Sequence, residues 1–153
     1  MSEVENRLAA MGVALPDVPK PVAAYVPFVV AGNLVFVSGN LPVEKGELKF
    51  RGRLGAEVSV EEGAKAARLA AVNAIAALRG AVGDLDRVKR IVRIEGFVAS
   101  TPEFDAQPKV VNGASELVLE AFQERGRHSR FAVGCASLPL GAAVEIGLIA
   151  EVE

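Results

Sequence analysis

The stretch HSRFAVGCASLPLGAAVEIGLIAEV, residues 128–152, decides how this chain folds. It contains the only His and the only Cys of the protein, with Arg130 at the head of one apolar run and Glu145 inside another. The pattern predicts two strands, Phe131 to Ala136 and Ala143 to Val152, on either side of the turn LPLG. The two charged side chains either face a common cleft or lie at strand ends in solvent, and the pattern alone leaves both possibilities open.

Length and composition predict one globular domain. The chain has 153 residues, of which 51% are hydrophobic, so it can bury a core and is not an intrinsically disordered protein. With 17 basic and 19 acidic side chains, no basic patch and few aromatics, we expect no nucleic-acid partner. A single Cys excludes an intramolecular disulfide framework. The high apolar content at near-zero charge predicts that part of the surface is buried against another subunit.

The beginning of the chain predicts neither secretion nor membrane insertion. MSEVENRL carries acidic residues and no long apolar core, unlike a signal peptide, and no window reaches the roughly 18 apolar residues of a membrane span. We therefore expect a cytoplasmic protein without a membrane partner. The single domain is predicted to span 1–153, with an N-terminal helix and a proline-rich tether over 1–21.

The remaining elements follow from capping, turn and periodicity signals. Ser2 with Glu5, and Ser59 with Glu62, form capping-box patterns at two helix starts. Gly32-Asn33 between apolar runs predicts a tight hairpin. The order is ββ(β)αβαββ, an α+β fold with two helices covering one face of a mixed sheet. The other predicted elements are a short strand at Glu47 to Phe50, a helix that starts at Ser59 and is ended by Gly80 and Gly83, a strand from Val88 to Ala99, and a helix from Pro108 to Arg125 with Gly126 as its C-cap.

Familiar catalytic and metal-binding patterns are missing. One His excludes an HExxH motif or a His-pair metal site, and no Walker or GxGxxG loop is present. A Ser–His–Asp triad with His128 lacks the GxSxG elbow. Cys135, within an apolar strand, is read as a small buried hydrophobe in preference to a reactive thiol. These patterns predict no metal and no cofactor.

Arg130 and Glu145 remain as candidates. The planar fork of an Arg suits bidentate binding of a carboxylate, and a partly buried Glu has a raised pKa that suits general acid–base work. If the last two strands formed a plain hairpin, strand geometry of about 3.3 Å per residue would separate the two side chains by roughly 13 Å. One small substrate would not readily contact both. Either another subunit completes the site, or the two strands are not hairpin partners.

Three blocks of sequence carry a resemblance to a known family. They are AGNLVFVSGNLPV (31–43), RIVRIEGFVAS (90–100) and HSRFAVGCASLPLGAAVEIGLIA (128–150), and the similarity covers about residues 22 to 152. The chain resembles the Rid/YjgF family, the reactive-intermediate deaminases that are also known as L-PSP endoribonucleases. The resemblance implies a chorismate-mutase-like α+β fold assembled as a homotrimer, with clefts between subunits. It also implies that the final strand lies inside the sheet and is not paired with the preceding strand.

The resemblance also assigns roles to residues. Arg130 resembles the Arg that binds the substrate carboxylate, and Glu145 resembles the Glu that positions or activates the attacking water. The residues implied to line the substrate cleft are Tyr25, Ser38, Gly39, Asn112 and, through its carbonyl, Ala132. Typical deaminases of the family differ at three places, with Cys at Ala132, Pro-Ala at His128-Ser129 and Glu at Gly147, so a reshaped pocket is expected.

Three hypotheses about function follow. The first is hydrolysis of a 2-imino or enamine acid, such as 2-aminoacrylate, to a 2-keto acid and ammonia, with a small carboxylate-bearing substrate. The second is a non-catalytic trimer that binds small carboxylic acids through Arg130. The third is the endoribonuclease activity in the family's older name, which the near-neutral charge disfavours.

Overall fold

The computed structural model describes residues 1–18, 20 and 24–153 and has the predicted α+β architecture. Part of the predicted tether, Pro19 and residues 21–23, lies outside the described residues. The helices and strands are α1 Glu3–Ala10, β1 Phe28–Ala31, β2 Leu34–Asn40, β3 Val43–Glu44, β4 Glu47–Leu48, α2 Val60–Val82, β5 Val88–Ala99, α3 Gln107–Phe122, β6 Ser129–Cys135 and β7 Val144–Val152.

The main sheet places the last strand in its middle. Its order is β1-β2-β7-β5-β6, with β7 antiparallel to both β2 and β5, and β6 parallel to β5 at one edge. The two strands that flank the LPLG turn are therefore separated by β5. This confirms the expectation that they are not hairpin partners. The predicted hairpin at Gly32-Asn33 is also confirmed, because Ala31 pairs with Leu34.

Helices α2 and α3 cover one face of the sheet, which we call the helix face. Every second residue of β7 faces this layer and packs beneath α2, with Val144, Ile146 and Leu148 buried, while α3 packs on β5 and β6. The two helices also approach each other closely. A Cβ on Gly113 of α3 would overlap the carbonyl oxygen of Ala64 in α2, so this crossing requires a glycine. The core consequently depends on small residues at this contact.

The opposite face of the sheet, which we call the open face, is covered by no element of the described chain. It carries Phe97 and Phe131, whose rings stack edge to face with centroids 5.4 Å apart. Phe36 on β2 is 42% exposed there, and Val133 on β6 is equally exposed. Several large apolar side chains exposed on one face are typical of an interaction site.

Both capping positions are confirmed, although they differ in detail. Ser59 and Glu62 exchange both hydrogen bonds of a capping box at the start of α2. Ser2 accepts a hydrogen bond from the Glu5 backbone N–H, and Glu5 instead lies 3.8 Å from Arg79. No helix in the part of the chain that the structure describes is long and apolar enough to cross a membrane.

Several predicted boundaries differ from the structure, and the strand predicted at Phe131 to Ala136 spans Ser129–Cys135. Helix α2 runs on through Gly80 to Val82, because buried Val82 extends its apolar face, and Gly83, one of the two glycines predicted to end it, caps it at a positive φ of 77°. Helix α3 ends at Phe122 and not at Arg125, since Gln123 has a φ of 57°, and a 3₁₀ turn follows over Gln123–Gly126. The short strand at Glu47 pairs with β3 in a separate two-stranded ladder and ends at Leu48.

Candidate functional site

Glu145 lies on the open face of β7, beside Phe97 of β5 in the strand register. Its carboxylate is close to Gly39 of β2, since a Cβ built on Gly39 would lie 2.6 Å from Glu145 Oε2. The side chain is half-buried, and this burial raises the pKa of Glu145 above its ordinary value. A carboxylate with a raised pKa is a better proton acceptor near neutral pH.

A β-bulge at Ser38 and Gly39 makes room for that carboxylate. The register between β2 and β7 shifts by one residue between Val37 and Asn40. Ser38 donates from Oγ to the Val26 carbonyl at 2.6 Å, and its backbone N–H donates to the Pro27 carbonyl. These bonds hold the segment that follows Tyr25, whose ring is 70% exposed. The structure therefore brings Ser38 and Gly39 to Glu145, with Tyr25 in the adjoining segment.

A cavity of about 490 Å³ lies beside this bulge, toward helix α2. Tyr25, Ser38 and Gly39 line it together with Asn73 and with the described tether residues 16–18 and 20. Asn73 is held in place because its amide donates to the carbonyls of Leu41 and Val43. Among the described residues, neither Arg130 nor Glu145 belongs to the cavity wall. The cavity is thus an extension of the Ser38–Gly39 region and does not join the two charged residues.

Arg130 lies on the helix face of the edge strand β6. In the parallel register it pairs with Ile94, which is buried beneath the helices. Its guanidinium reaches α3, where Nη1 donates to Ser115 Oγ at 3.0 Å and Nη2 donates to the Pro108 carbonyl at 3.3 Å. Pro108, Asn112 and Ser115 follow at i, i+4 and i+7, which places them on one side of the helix. Asn112 is therefore on the side of α3 that Arg130 contacts.

Ala132 follows two residues after Arg130 and points the same way. It pairs with Gly96 of β5 and packs partly against the core. A Cβ on Gly96 would contact Val111 of α3, so β5 and α3 are in close contact here. The positions Arg130, Asn112 and Ala132 thus form a second group, at the sheet edge beside α3.

The two groups of predicted site residues are not brought together within one chain. Arg130 and Glu145 lie on opposite faces, since their register partners Ile94 and Phe97 point to opposite sides of β5. They are also two strands apart, roughly 10 Å at about 4.8 Å per strand. With β7 inside the sheet, Arg130 and Glu145 are therefore still too far apart for one small substrate, as they would also be in a hairpin. A second copy of the chain would have to complete any site that uses both.

Cys135 is on the open face near Glu145, and its environment argues against a reactive thiolate. Burial raises the pKa of the Cys135 thiol, and the charge of Glu145 raises it further. No group of three or more His, Cys, Asp or Glu side chains that could hold a metal ion occurs among residues 1–18, 20 and 24–153. The arrangement is therefore suited to binding an anion at Arg130 and to accepting a proton at Glu145.

Two polar residues beside Arg130 were not assigned a role by sequence reasoning. Ser115 accepts from Arg130 and also contacts the ring of His128 at 2.9 Å. The sequence predicts His128 only as a member of a catalytic triad or as a residue that reshapes the pocket, and not as a partner of Ser115. The signal that could have found Ser115 is its position seven residues after Pro108, on the helix side that faces the edge strand.

Comparisons with known proteins agree on one family. A family model described as "YjgF/chorismate mutase-like, putative endoribonuclease" matches residues 5–152. Protein TCP17 from Trypanosoma cruzi is 45% identical over 149 residues, which are 97% of this chain and 93% of that protein. The crystal structure of Atu1372 from Agrobacterium tumefaciens, a protein with unknown function, is 46% identical with a TM-score of 0.92, covering 98% of this chain and 94% of that one. The structure of E. coli TdcF with bound serine is 27% identical with a TM-score of 0.60, covering 88% and 93%.

Proposed function

The chain belongs to the YjgF/chorismate mutase-like family, and within that family we propose that it hydrolyses small 2-imino or enamine acids to 2-keto acids and ammonia. The family match and the similar fold confirm the resemblance that the three sequence blocks indicate. The proposed site is a cleft between subunits of a homotrimer, with Arg130 from one copy and Glu145 from the next.

The observation that carries the proposal is the state of Arg130. It is half-buried and held by two neutral groups of α3, and the ion pairs among the described residues do not include it. A guanidinium fixed in this way has donors left for a planar carboxylate. The bound serine in the related TdcF is a small carboxylate-bearing molecule and supports this class of ligand.

Glu145 supplies the second part of the chemistry. A 2-imino acid has its C=N bond next to the carboxylate, so a carboxylate held at Arg130 fixes the position of the imine carbon. Water adds its oxygen to that carbon while the Glu145 carboxylate accepts one of its protons. That proton passes to nitrogen, which gives a tetrahedral intermediate with one hydroxyl and one amino group. The hydroxyl proton then also passes to nitrogen, the C–N bond breaks, and ammonia leaves as the C=O bond forms. Oxygen from water replaces nitrogen, and no electrons are lost or gained.

The separation of the two residues supports a cleft between copies. Within one chain Arg130 and Glu145 are on opposite faces of the sheet, and a small substrate cannot span them. The open face, which carries Glu145, also carries exposed Phe36 and Val133. A neighbouring copy seated on this face would cover those side chains and could bring its β6 edge towards Glu145.

The direct test is to generate a 2-imino acid with an amino-acid oxidase and to follow its decay, with spontaneous hydrolysis as the blank. We expect the wild-type protein to accelerate the decay and Arg130→Ala to lose the acceleration. Glu145→Gln should lower kcat on the order of 100-fold with little change in KM, because it removes a general base. No acceleration by the wild type would overturn the proposal.

Two further measurements separate the other hypotheses. Calorimetry with a 2-keto acid detects a binding protein, since binding that depends on Arg130 without any imine turnover would indicate a carrier or sensor. Incubation with RNA tests the activity in the family description, and cleavage that persists through purification and disappears in a site variant would favour a ribonuclease. Either result would replace imine hydrolysis as the function.

A further inference from the structure

A chain of hydrogen bonds runs from the backbone of the turn after α3 to the guanidinium of Arg130. The Gly126 carbonyl lies 2.7 Å from His128 Nδ1, His128 Nε2 lies 2.9 Å from Ser115 Oγ, and Arg130 Nη1 donates to the same Oγ at 3.0 Å. His128, Ser115 and Arg130 are all half-buried. The three side chains therefore lie in one partly enclosed network.

The Gly126 carbonyl at one end of this series of hydrogen bonds and Arg130 at the other set the direction of every bond in it. A carbonyl oxygen only accepts, so His128 Nδ1 carries a proton and donates to Gly126. In the neutral ring Nε2 then has a lone pair and accepts the Ser115 hydroxyl proton. Ser115 is left with oxygen lone pairs, which accept from Arg130, a residue that can only donate. The arrangement satisfies each partner with a single histidine tautomer.

The anchor of the chain is rigid. Gly126 is buried in the 3₁₀ turn after α3, and a Cβ there would lie 2.6 Å from the Val118 carbonyl oxygen. The turn is thus packed directly on the last part of α3. At the other end, Arg130 is fixed by the parallel register of β6 with β5. The hydrogen bonds therefore connect two parts of the fold that have little freedom to move relative to each other.

We propose that Ser115 and His128 are positioning residues, which hold the Arg130 guanidinium in the orientation that binds the substrate carboxylate. A guanidinium has five N–H groups. The bonds to Ser115 and to the Pro108 carbonyl use one on each terminal nitrogen, and among the described residues these are its hydrogen-bond partners. Three N–H groups remain, enough for a bidentate carboxylate, and their direction is set because the other two are occupied. The effect on catalysis rests on the function proposed above.

The first test needs no substrate. His128 is the only histidine of the chain, so one pair of ring nitrogens appears in a ¹⁵N NMR spectrum of the labelled protein. We expect the neutral ring to be the Nδ1–H tautomer, and we expect Ser115→Ala to shift the Nε2 resonance by removing its donor. A ring with its proton on Nε2 would overturn the proposal, whatever the protein's activity.

The second test separates positioning from fold stability. Ser115→Ala should raise KM for the imino acid, or the Kd for a 2-keto acid, about tenfold with kcat nearly unchanged, the size of one lost hydrogen bond to a charged group. Ser115→Thr keeps the hydroxyl and should restore most of the affinity. His128→Gln should lie between them, because its amide oxygen can still accept from Ser115.

Ser129→Ala is the matched control, since its hydroxyl is next to Arg130 in sequence but donates to the Val92 carbonyl. It should leave KM unchanged. Keto-acid binding that is lost in Arg130→Ala but equal in Ser115→Ala and wild type would overturn the positioning role, even if imine hydrolysis is confirmed. Binding without imine turnover, weakened by Ser115→Ala, would refute the deaminase function and keep the positioning role.

Discussion

The two faces of the five-stranded sheet differ in what covers them, and each holds one half of the candidate site. On the helix face, α2 packs on the buried aliphatic side chains of β7, and α3 holds Arg130 at the strand edge. On the open face, Glu145 shares a surface with exposed Phe36 and Val133. A single strand, β7, therefore contributes to the buried core on one side and to an uncovered surface on the other.

The two halves of the candidate site depend on different contacts. The orientation of Arg130 depends on contacts within one chain, because Ser115 and Pro108 belong to the same helix. The environment of Glu145 depends partly on what covers the open face. Mutations on the helix face should therefore act through folding, and mutations on the open face should act through assembly.

The largest effect on stability is expected at the contact between the two helices. Gly113→Ala would place a methyl group against the Ala64 carbonyl oxygen, which belongs to backbone and cannot rotate away. Overpacking of this kind costs about 1–3 kcal/mol or more, which exceeds the gain of about 1 kcal/mol from replacing a helical glycine. Urea denaturation should show a lower free energy of unfolding.

Gly80→Ala is the control for that substitution. Gly80 is also inside a helix, but its added methyl group would meet the Val18 side chain at 3.0 Å, and that side chain can move. This variant should be neutral or slightly more stable. Equal stability of the Gly113 and Gly80 variants would show that the helix layer is not as closely packed as its geometry indicates.

The next effect is expected on the open face. Phe36→Glu would place a charge among side chains that a neighbouring copy is proposed to cover, so we expect the assembly to dissociate while each chain stays folded. Sedimentation would show the mass falling from three copies to one. Leu119→Glu is a fair control, because Leu119 is 44% exposed against 42% for Phe36 but lies on α3. The same mass for wild type and Phe36→Glu would show that the open face is not the subunit interface.

Much of the helix face could be predicted from the sequence, because local patterns set it. The strand Val88 to Ala99 was predicted with the bounds that the structure has, since its β-branched run ends at a Thr-Pro pair. The end of α3 was missed, because Gln123 adopts a positive φ that no residue type there indicates. The separation of Arg130 from Glu145 was recognised, but the opposite faces depend on the parallel register of β6, which a single sequence does not reveal.

Ser115 and His128 illustrate why site residues are harder to predict than elements. Their contact joins a helix to a strand end thirteen residues later, and neither position belongs to a motif. The resemblance marked Ser38 and Gly39 as cleft residues, but the bulge there and the space that it leaves for Glu145 follow from the pairing of β2 with β7. Such contacts arise from packing between distant elements, and periodicity within one element does not encode them.

The smallest effect is expected on the pH dependence of stability, through Glu145 on the open face. Burial raises the pKa of Glu145 in the folded chain above its ordinary value of 4.5. The protonated form is thus favoured by folding, and its contribution to stability is present below pH 4.5 and lost as the pH rises through the folded pKa. Glu145→Gln removes this loss because it cannot ionise. Its Tm should therefore equal that of the wild type at low pH and be slightly higher at neutral pH.

The same measurement can distinguish a bare open face from a covered one. The comparison is made in an Arg130→Ala background, because the guanidinium of a neighbouring copy would itself lower the pKa of Glu145. If a neighbouring copy covers Glu145, the carboxylate then loses more water in the assembly than in the Phe36→Glu chain, and its pKa should be higher there. The pH range in which Glu145→Gln becomes more stable than its parent should then lie higher in the assembled background than in the dissociated one. Glu120→Gln, which replaces an exposed carboxylate on α3, corrects for a simple change of net charge. An identical pH range in both backgrounds would mean that Glu145 lies outside the subunit contact, and the cleft would have to be built without it.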